Sequence, residues 1–106
     1  MNSAMRKKIP ELHYRSSRIC RVLGNPTAYE ILKLLKNAEM KPTEIASLFG
    51  LSLPTICDTL RSLRQLDLVR YETRKDGKFY FIKDVKISEV MREIEWLVIR
   101  IRTREY

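Results

Sequence analysis

Residues Thr43–Leu63 read TEIASLFGLSLPTICDTLRSL. The apolar residues of this stretch fall into two helical sets with a break between them. Ile45, Ala46, Leu48 and Phe49 recur as one face of a short helix, and Ile56, Leu60 and Leu63 as the inner face of a longer one. Gly50 stands four residues after Ala46. A small residue lets two helices cross closely, and glycine accepts the left-handed backbone of an abrupt turn at little steric cost. Ser52 then offers its hydroxyl oxygen to the free amides of the next helix. The stretch therefore predicts a short helix, a tight turn and a second helix from about Leu53 to Gln65, with Ile45, Phe49, Leu51, Ile56, Leu60 and Leu63 turned inward. A second helix held in this way presents its outer side and its N-terminus to the surroundings. The major groove of B-DNA admits one helix of that shape, and helix N-terminal amides suit phosphate.

Upstream, Leu12, Ile19, Val22 and Leu23 predict a first helix from Glu11 to about Leu23, with Gly24 ending it. Asn25-Pro26 is a helix start, because Asn caps amides and Pro needs no amide partner at the first helical position. Ala28, Ile31, Leu32 and Leu35 then form a core-facing stripe to about Lys36. Met40-Lys41 precedes Pro42 and is biased toward extended backbone, a short β segment before the helix that Pro42 opens.

Downstream the period changes. Val69, Tyr71 and Thr73 alternate with Arg70, Glu72 and Arg74, which is strand spacing. Asp76-Gly77 predicts a tight hairpin turn whose residues tolerate positive φ, and Phe79–Ile82 the return strand. The hairpin tip is basic through Arg74, Lys75 and Lys78. From about Val85 helical spacing returns: Ile87, Met91, Ile94, Val98 and Ile101 follow a 4, 3, 4, 3 rhythm, widened by Val90 and Leu97. That seam is too apolar to face water. A fold this small can use part of it for its own core, and the expectation is that the first and last helices pair with a second copy to bury the remainder, with Ile19, Ile87, Met91, Ile94, Val98 and Ile101 as the interface set. The fold class expected is mainly α with a small β-hairpin wing, in the order α-α-(short β)-α-α-β-β-α: a winged helix-turn-helix occupying 1–106 as one domain, with 1–10 a basic arm and 84–106 a dimerisation helix.

Charge distribution supports a polyanionic partner. The chain carries 21 Lys and Arg against 13 Asp and Glu. Residues 1–23 hold six basic side chains and one acidic, and residues 61–83 seven and three, whereas 84–106 balance at five each. Two basic blocks, one of them the hairpin, are the footprint of a nucleic-acid surface. No apolar run approaches the ~18 residues that cross a bilayer. No apolar segment follows the basic N-terminus, so no membrane association is expected and the cytoplasm is the expected location. The residues show no catalytic constellation and no Gly-rich phosphate loop, so neither an enzyme nor a cofactor is expected. Cys20 and Cys57 have no metal spacing, and His13, the only histidine, lies about 10 Å along a helix from Cys20. An alternative from another class is a winged helix that binds protein or RNA through the apolar Leu53-Pro54 face.

The runs LGNPTAYEILKLL, EIASLFGLSLPTICDTLRSLRQLDLVRYE and DGKFYFI resemble ArsR-type winged-helix repressors, over roughly Leu23 to Ile82. The resemblance implies a homodimer that binds double-stranded operator DNA and represses until a metal or other signal releases it. It puts Ser52, Leu53, Pro54, Thr55, Cys57 and Asp58 at the groove-facing positions, Thr55 on a base or thymine methyl and Ser52 on a phosphate. Arg61 and Arg64 would supply backbone contacts, and Arg74, Lys75 and Lys78 phosphate or minor-groove contacts from the wing. Asp58 departs from the family, which often has a basic residue there. The Cys-x-Cys of metal-sensing members is replaced by Lys41 and Thr43, and the last helix has no histidine, so no metal site is expected and the effector is unassigned. Oxidation of Cys57 on the recognition helix would alter DNA contact.

Overall fold

The structure, a computed structural model, describes residues 9–104. Most of the basic arm expected at 1–10 lies outside the described residues, as do the last two residues of the expected dimerisation segment. Among the described residues there are five helices and one two-stranded hairpin: α1 (Glu11–Leu23), α2 (Pro26–Leu35), α3 (Pro42–Phe49), α4 (Leu53–Gln65), β1 (Val69–Arg74), β2 (Gly77–Ile82) and α5 (Lys86–Arg104).

Local chemistry sets the boundaries. Asn25 Oδ1 accepts the Ala28 amide at 3.0 Å and Pro26 opens α2. Pro42 opens α3, and Glu44 reaches back to accept the Lys41 amide at 2.8 Å. Gly50 closes α3 at φ 65°, ψ 32°, and the Leu51 amide donates to the Ala46 carbonyl at 3.1 Å. That is the left-handed cap the sequence called for. Gly24 behaves differently. Its φ is −73°, so α1 ends without a left-handed residue, and the chain is redirected by the Asn25-Pro26 start instead.

One core joins the elements. Ala28, Ile31, Leu32 and Leu35 of α2 meet Ile45 and Ala46 of α3, Ile56, Leu60 and Leu63 of α4, Val69 of β1, and Ile87 and Met91 of α5. Three leucines expected inside are outside. Leu12, Leu48 and Leu51 are exposed, because α1 and α3 each bury only a narrow stripe and the turn after Gly50 runs over the surface.

The hairpin register pairs Val69 with Ile82, Tyr71 with Tyr80, and Arg74 with Gly77. Its two-residue loop is therefore Lys75-Asp76, one residue earlier than Asp76-Gly77. Gly77, at φ 135°, takes the positive-φ position, and Asp76 does not share it. The expected short β segment is present: Met40 and Tyr80 exchange amide–carbonyl bonds of 3.1 and 2.8 Å.

The α5 seam divides in two. Ile87 and Met91, expected at a dimer interface, are 7% and 2% exposed and belong to the protomer's own core, so they leave the interface set. Ile19 packs half-buried against that core. Ile94, Leu97, Val98 and Ile101 remain exposed, joined by Trp96 and Ile99. A polar tie fixes α5 to α2: the Tyr29 hydroxyl donates to Glu95 Oε2 at 2.5 Å, and Lys33 Nζ donates to both Glu95 oxygens at 3.0 and 3.1 Å.

Candidate nucleic-acid interface

α4 is anchored by Ile56, Leu60 and Leu63, each fully buried. That anchoring leaves Leu53, Pro54, Thr55, Asp58, Arg61, Ser62, Arg64 and Gln65 exposed and Cys57 half-buried. Ser52 and Thr55 form a closed cap at its N-terminus. The Thr55 amide donates to Ser52 Oγ at 3.3 Å, and the two hydroxyl oxygens lie 2.8 Å apart. Each hydroxyl oxygen keeps hydrogen-bonding capacity beyond the cap, so the cap orients them without consuming them. Asp58 does not stand as a bare carboxylate. Arg61 Nη1 donates to its Oδ1 at 3.1 Å. The sequence-level conflict of an acidic residue on a face meant for DNA is thereby reduced to a neutral pair one helical turn long.

The wing stands beside α4. Tyr71 and Tyr80 lie ring to ring at 5.3 Å on the hairpin. Two cations cover Tyr71: Arg64 from the end of α4 at 5.5 Å and Lys78 at 4.7 Å. Such stacking holds a cation in position while leaving its charge available. Burial pushes the Tyr80 phenol above its ordinary pKa, so it remains a neutral hydrogen-bond donor. On the other strand face, Arg74 sits 4.6 Å over Phe79 and Lys41 5.7 Å from the same ring.

The wing cations differ in what they can offer. Arg74 is bound to Glu39 and, at 3.4 Å, to Glu72; these carboxylates, Glu39 first, raise its already high pKa. Its charge is compensated within the protein. Lys75 and Lys78 form no ion pair among the described residues. At the wing's base, Asp67 takes a left-handed φ of 63° and binds Lys83 and Arg70, and the Lys83 hydrogen bond holds its carboxyl below the usual range.

Sequence reasoning missed Lys41 and the two tyrosines as parts of this surface. In the sequence Lys41 stands as an extended residue before Pro42 and as a position that lacks a thiolate ligand, with no sign that it meets the wing. The structure sets its side chain against the wing, 3.2 Å from where a Cβ on Gly77 would lie. The register of the hairpin, had it been assigned one residue earlier, would have put Tyr71 opposite Tyr80. Among the described residues no three His, Cys, Asp or Glu side chains converge as a metal cluster would require. Among those residues, no helix is long and apolar enough to cross a membrane.

A capped helix with an open outer face, a preceding helix packed across it and a cationic hairpin alongside define a winged helix-turn-helix DNA-binding domain. Comparisons with known proteins agree and narrow the class. Residues 25–71 match the model of the bacterial regulatory protein arsR family. The chain is 31% identical over 90 residues to the HTH-type transcriptional regulator MJ1325 of Methanocaldococcus jannaschii, covering 82% of this chain and 99% of that protein. It is 26% identical over 80 residues to the transcriptional repressor SdpR of Bacillus subtilis, covering 76% and 86%. Among solved structures, Rv0081 of M. tuberculosis superposes with a TM-score of 0.83 at 20% identity, covering 92% of this chain and 98% of that one. The homodimeric winged helix-turn-helix DNA-binding domain of Mb0332 from Mycobacterium bovis superposes with a TM-score of 0.75 at 23% identity, covering 82% and 81%. This chain belongs to the arsR family: it is a transcriptional regulator with a helix-turn-helix DNA-binding domain. The family is one of regulators rather than of enzymes.

Proposed function

We propose that this regulator is a cytoplasmic repressor without catalytic activity that binds one preferred duplex sequence as a homodimer. α4 enters the major groove and the wing rides on the flanking backbone or minor groove. The observation that carries the reading is the pairing of an exposed, capped α4 face with wing lysines that have no carboxylate partner among the described residues. Ser52 and Thr55 at the α4 N-terminus face the first base pairs, Leu53 and Pro54 offer apolar contact to a thymine methyl, and Arg61 and Arg64 reach the backbone. Cys57, half-buried between α4 and the wing, is the residue whose oxidation would disturb this contact. The dimer forms through the exposed part of α5, with Ile94, Val98 and Ile101 at its centre and Ile19 at its edge. Two α4 helices then read half-sites about 34 Å apart. The names of SdpR, a repressor, and Mb0332, a homodimer, support the finer parts of this proposal.

Selection of bound sequences from a random duplex pool tests it. The expected result is one palindromic site, bound with an affinity that falls steeply as salt rises. Thr55→Ala should blur base preference, and Lys78→Ala should weaken all duplexes alike. Sequence-blind duplex binding, together with retention of a protein or RNA ligand by the Leu53-Pro54 face, would replace this reading with that of an interaction module.

A further inference from the structure

A helix in the major groove has a sugar–phosphate strand on each side of it. The wing occupies one flank of α4, as Arg64 over Tyr71 makes plain, and the start of α3 touches the wing through Lys41 near Phe79. The opposite flank carries Thr59 and Ser62 and borders a groove against α1 and the first turn of α2. The main part of this groove, about 420 Å³, is lined by Tyr14, Arg18, Arg21, Asn25 and Ser62 among others. A continuation of about 230 Å³ shares Asn25 and Ser62 and reaches Asp58 and Thr59 on the outer side of α4. A smaller hollow of about 130 Å³ lies between Arg15, Arg18 and Gln65.

The charge of this groove is one-sided. Arg15, Arg18 and Arg21 form no ion pair among the described residues, while the two carboxylates at its borders are engaged, Asp58 with Arg61 and Asp67 with Lys83 and Arg70. The rest of the lining mixes apolar Val22 and Leu66 with Tyr14, Asn25 and Gln65, the Ser17 and Ser62 hydroxyls donating to the Tyr14 and Asp58 carbonyls, and the N-terminus of α2 adds a partial positive charge. Arginine forks match phosphate oxygens in pairs. An open trough beside a groove-reading helix fits an extended polyanion rather than an enclosed ligand.

We propose that this groove seats the DNA phosphate strand on the side of the major groove away from the wing, with Arg18 and Arg21 as its principal contacts. α4 is then gripped from both flanks, by lysines on one and arginines on the other. The proposal rests on the DNA-binding reading above.

The test measures affinity for the selected duplex against salt concentration for the wild type, Arg18→Ala/Arg21→Ala, Arg18→Lys/Arg21→Lys and Lys78→Ala. The double alanine variant should lower the slope of log affinity against log salt by about one unit per arginine removed in each bound protomer. Base preference should not change, and ethylation interference should vanish at the phosphates flanking α4 opposite the wing. The lysine variant should keep most of the slope, and it carries the test if the alanine variant melts early. A wild-type slope and interference pattern in the alanine variant overturns the proposal while leaving the DNA reading intact, provided Lys78→Ala does lower the slope. If inorganic phosphate raises the melting temperature through Arg18 and Arg21 while the DNA slope does not move, the groove is a small-anion site and the proposal is likewise overturned. A wild type that binds no duplex at all brings down both readings together.

Discussion

Removing the Tyr29 hydroxyl should loosen α5 from the body, and by an amount the structure lets us work out. Tyr29→Phe deletes the 2.5 Å hydrogen bond to Glu95 and leaves the ring in place. A hydrogen bond to a charged group contributes about 1.5–3 kcal/mol. Glu95 is 40% exposed, so solvent competes for it and the contribution is discounted below that range, to about 1 kcal/mol. For a domain of this size that corresponds to a Tm lower by about 4–8 °C. The pH dependence has a definite sign at each end. The hydrogen bond from Tyr29, then that from Lys33, holds the Glu95 carboxyl below its ordinary value of 4.5. A depressed folded-state pKa means the contribution is present above 4.5 and is lost as pH falls through the folded value. Burial first, and then Glu95, pushes the Tyr29 phenol from 10.0 up to about 12. A raised pKa means that contribution is present below pH 10 and is lost as pH rises towards 12. The wild type should therefore exceed Tyr29→Phe in stability across neutral pH, with the gap closing below pH 4.5 and above pH 10. Urea unfolding at one fixed chain concentration measures this, since the proposed dimerisation would also contribute to apparent stability. A double-mutant cycle with Glu95→Gln isolates the pair. Additive effects of the two substitutions, or a gap that stays constant as pH falls from 7 to well below 4.5, would refute the reasoning.

Other consequences follow from the same geometry. Gly50→Ala meets no atom within 4 Å, so its cost is the left-handed backbone alone, about 1 kcal/mol by urea unfolding; Gly77→Ala, at φ 135° and 3.2 Å from Lys41 Cδ, should cost more. Met91→Ala should destabilise the protomer by about 2–5 kcal/mol, while Ile101→Ala should leave secondary structure intact and raise the dimer dissociation constant in sedimentation equilibrium. Arg74→Ala should lower the salt slope of DNA binding less than Lys78→Ala, since Glu39 and Glu72 already neutralise Arg74; an equal loss would show that those pairs open on DNA.

Much of the architecture is legible because its signals are local. Helix caps, prolines and i, i+4 apolar spacing mark α1 and α4 to the residue, and Ala46 with Gly50 defines the turn between α3 and α4. Long-range matters are not written locally. Glu39 and Arg74 lie 35 residues apart, and nothing in either neighbourhood announces that they pair, so Arg74 reads as a free cation when it is not. The heptad spacing of α5 identifies an apolar face but cannot divide it between the protomer's core and a second copy. That division depends on where α1 and α2 pack, which leaves Ile87 and Met91 inside and Ile101 outside. The groove between α1 and α4 escapes sequence reading for a similar reason. Arg18 and Ser62 face a common space only once the chain has folded.

The outer end of α5 has a consequence for how much of this protein a cell can keep. Trp96, Leu97, Val98, Ile99 and Ile101 all stand 50–56% exposed, on every side of the helix. A solitary copy displays the kind of greasy surface that chaperones and proteases seize. If copies pair through this surface as proposed above, those that fail to mate would be cleared, and turnover should slow as the chain accumulates. The regulator's abundance would then respond more steeply than linearly to its own rate of synthesis.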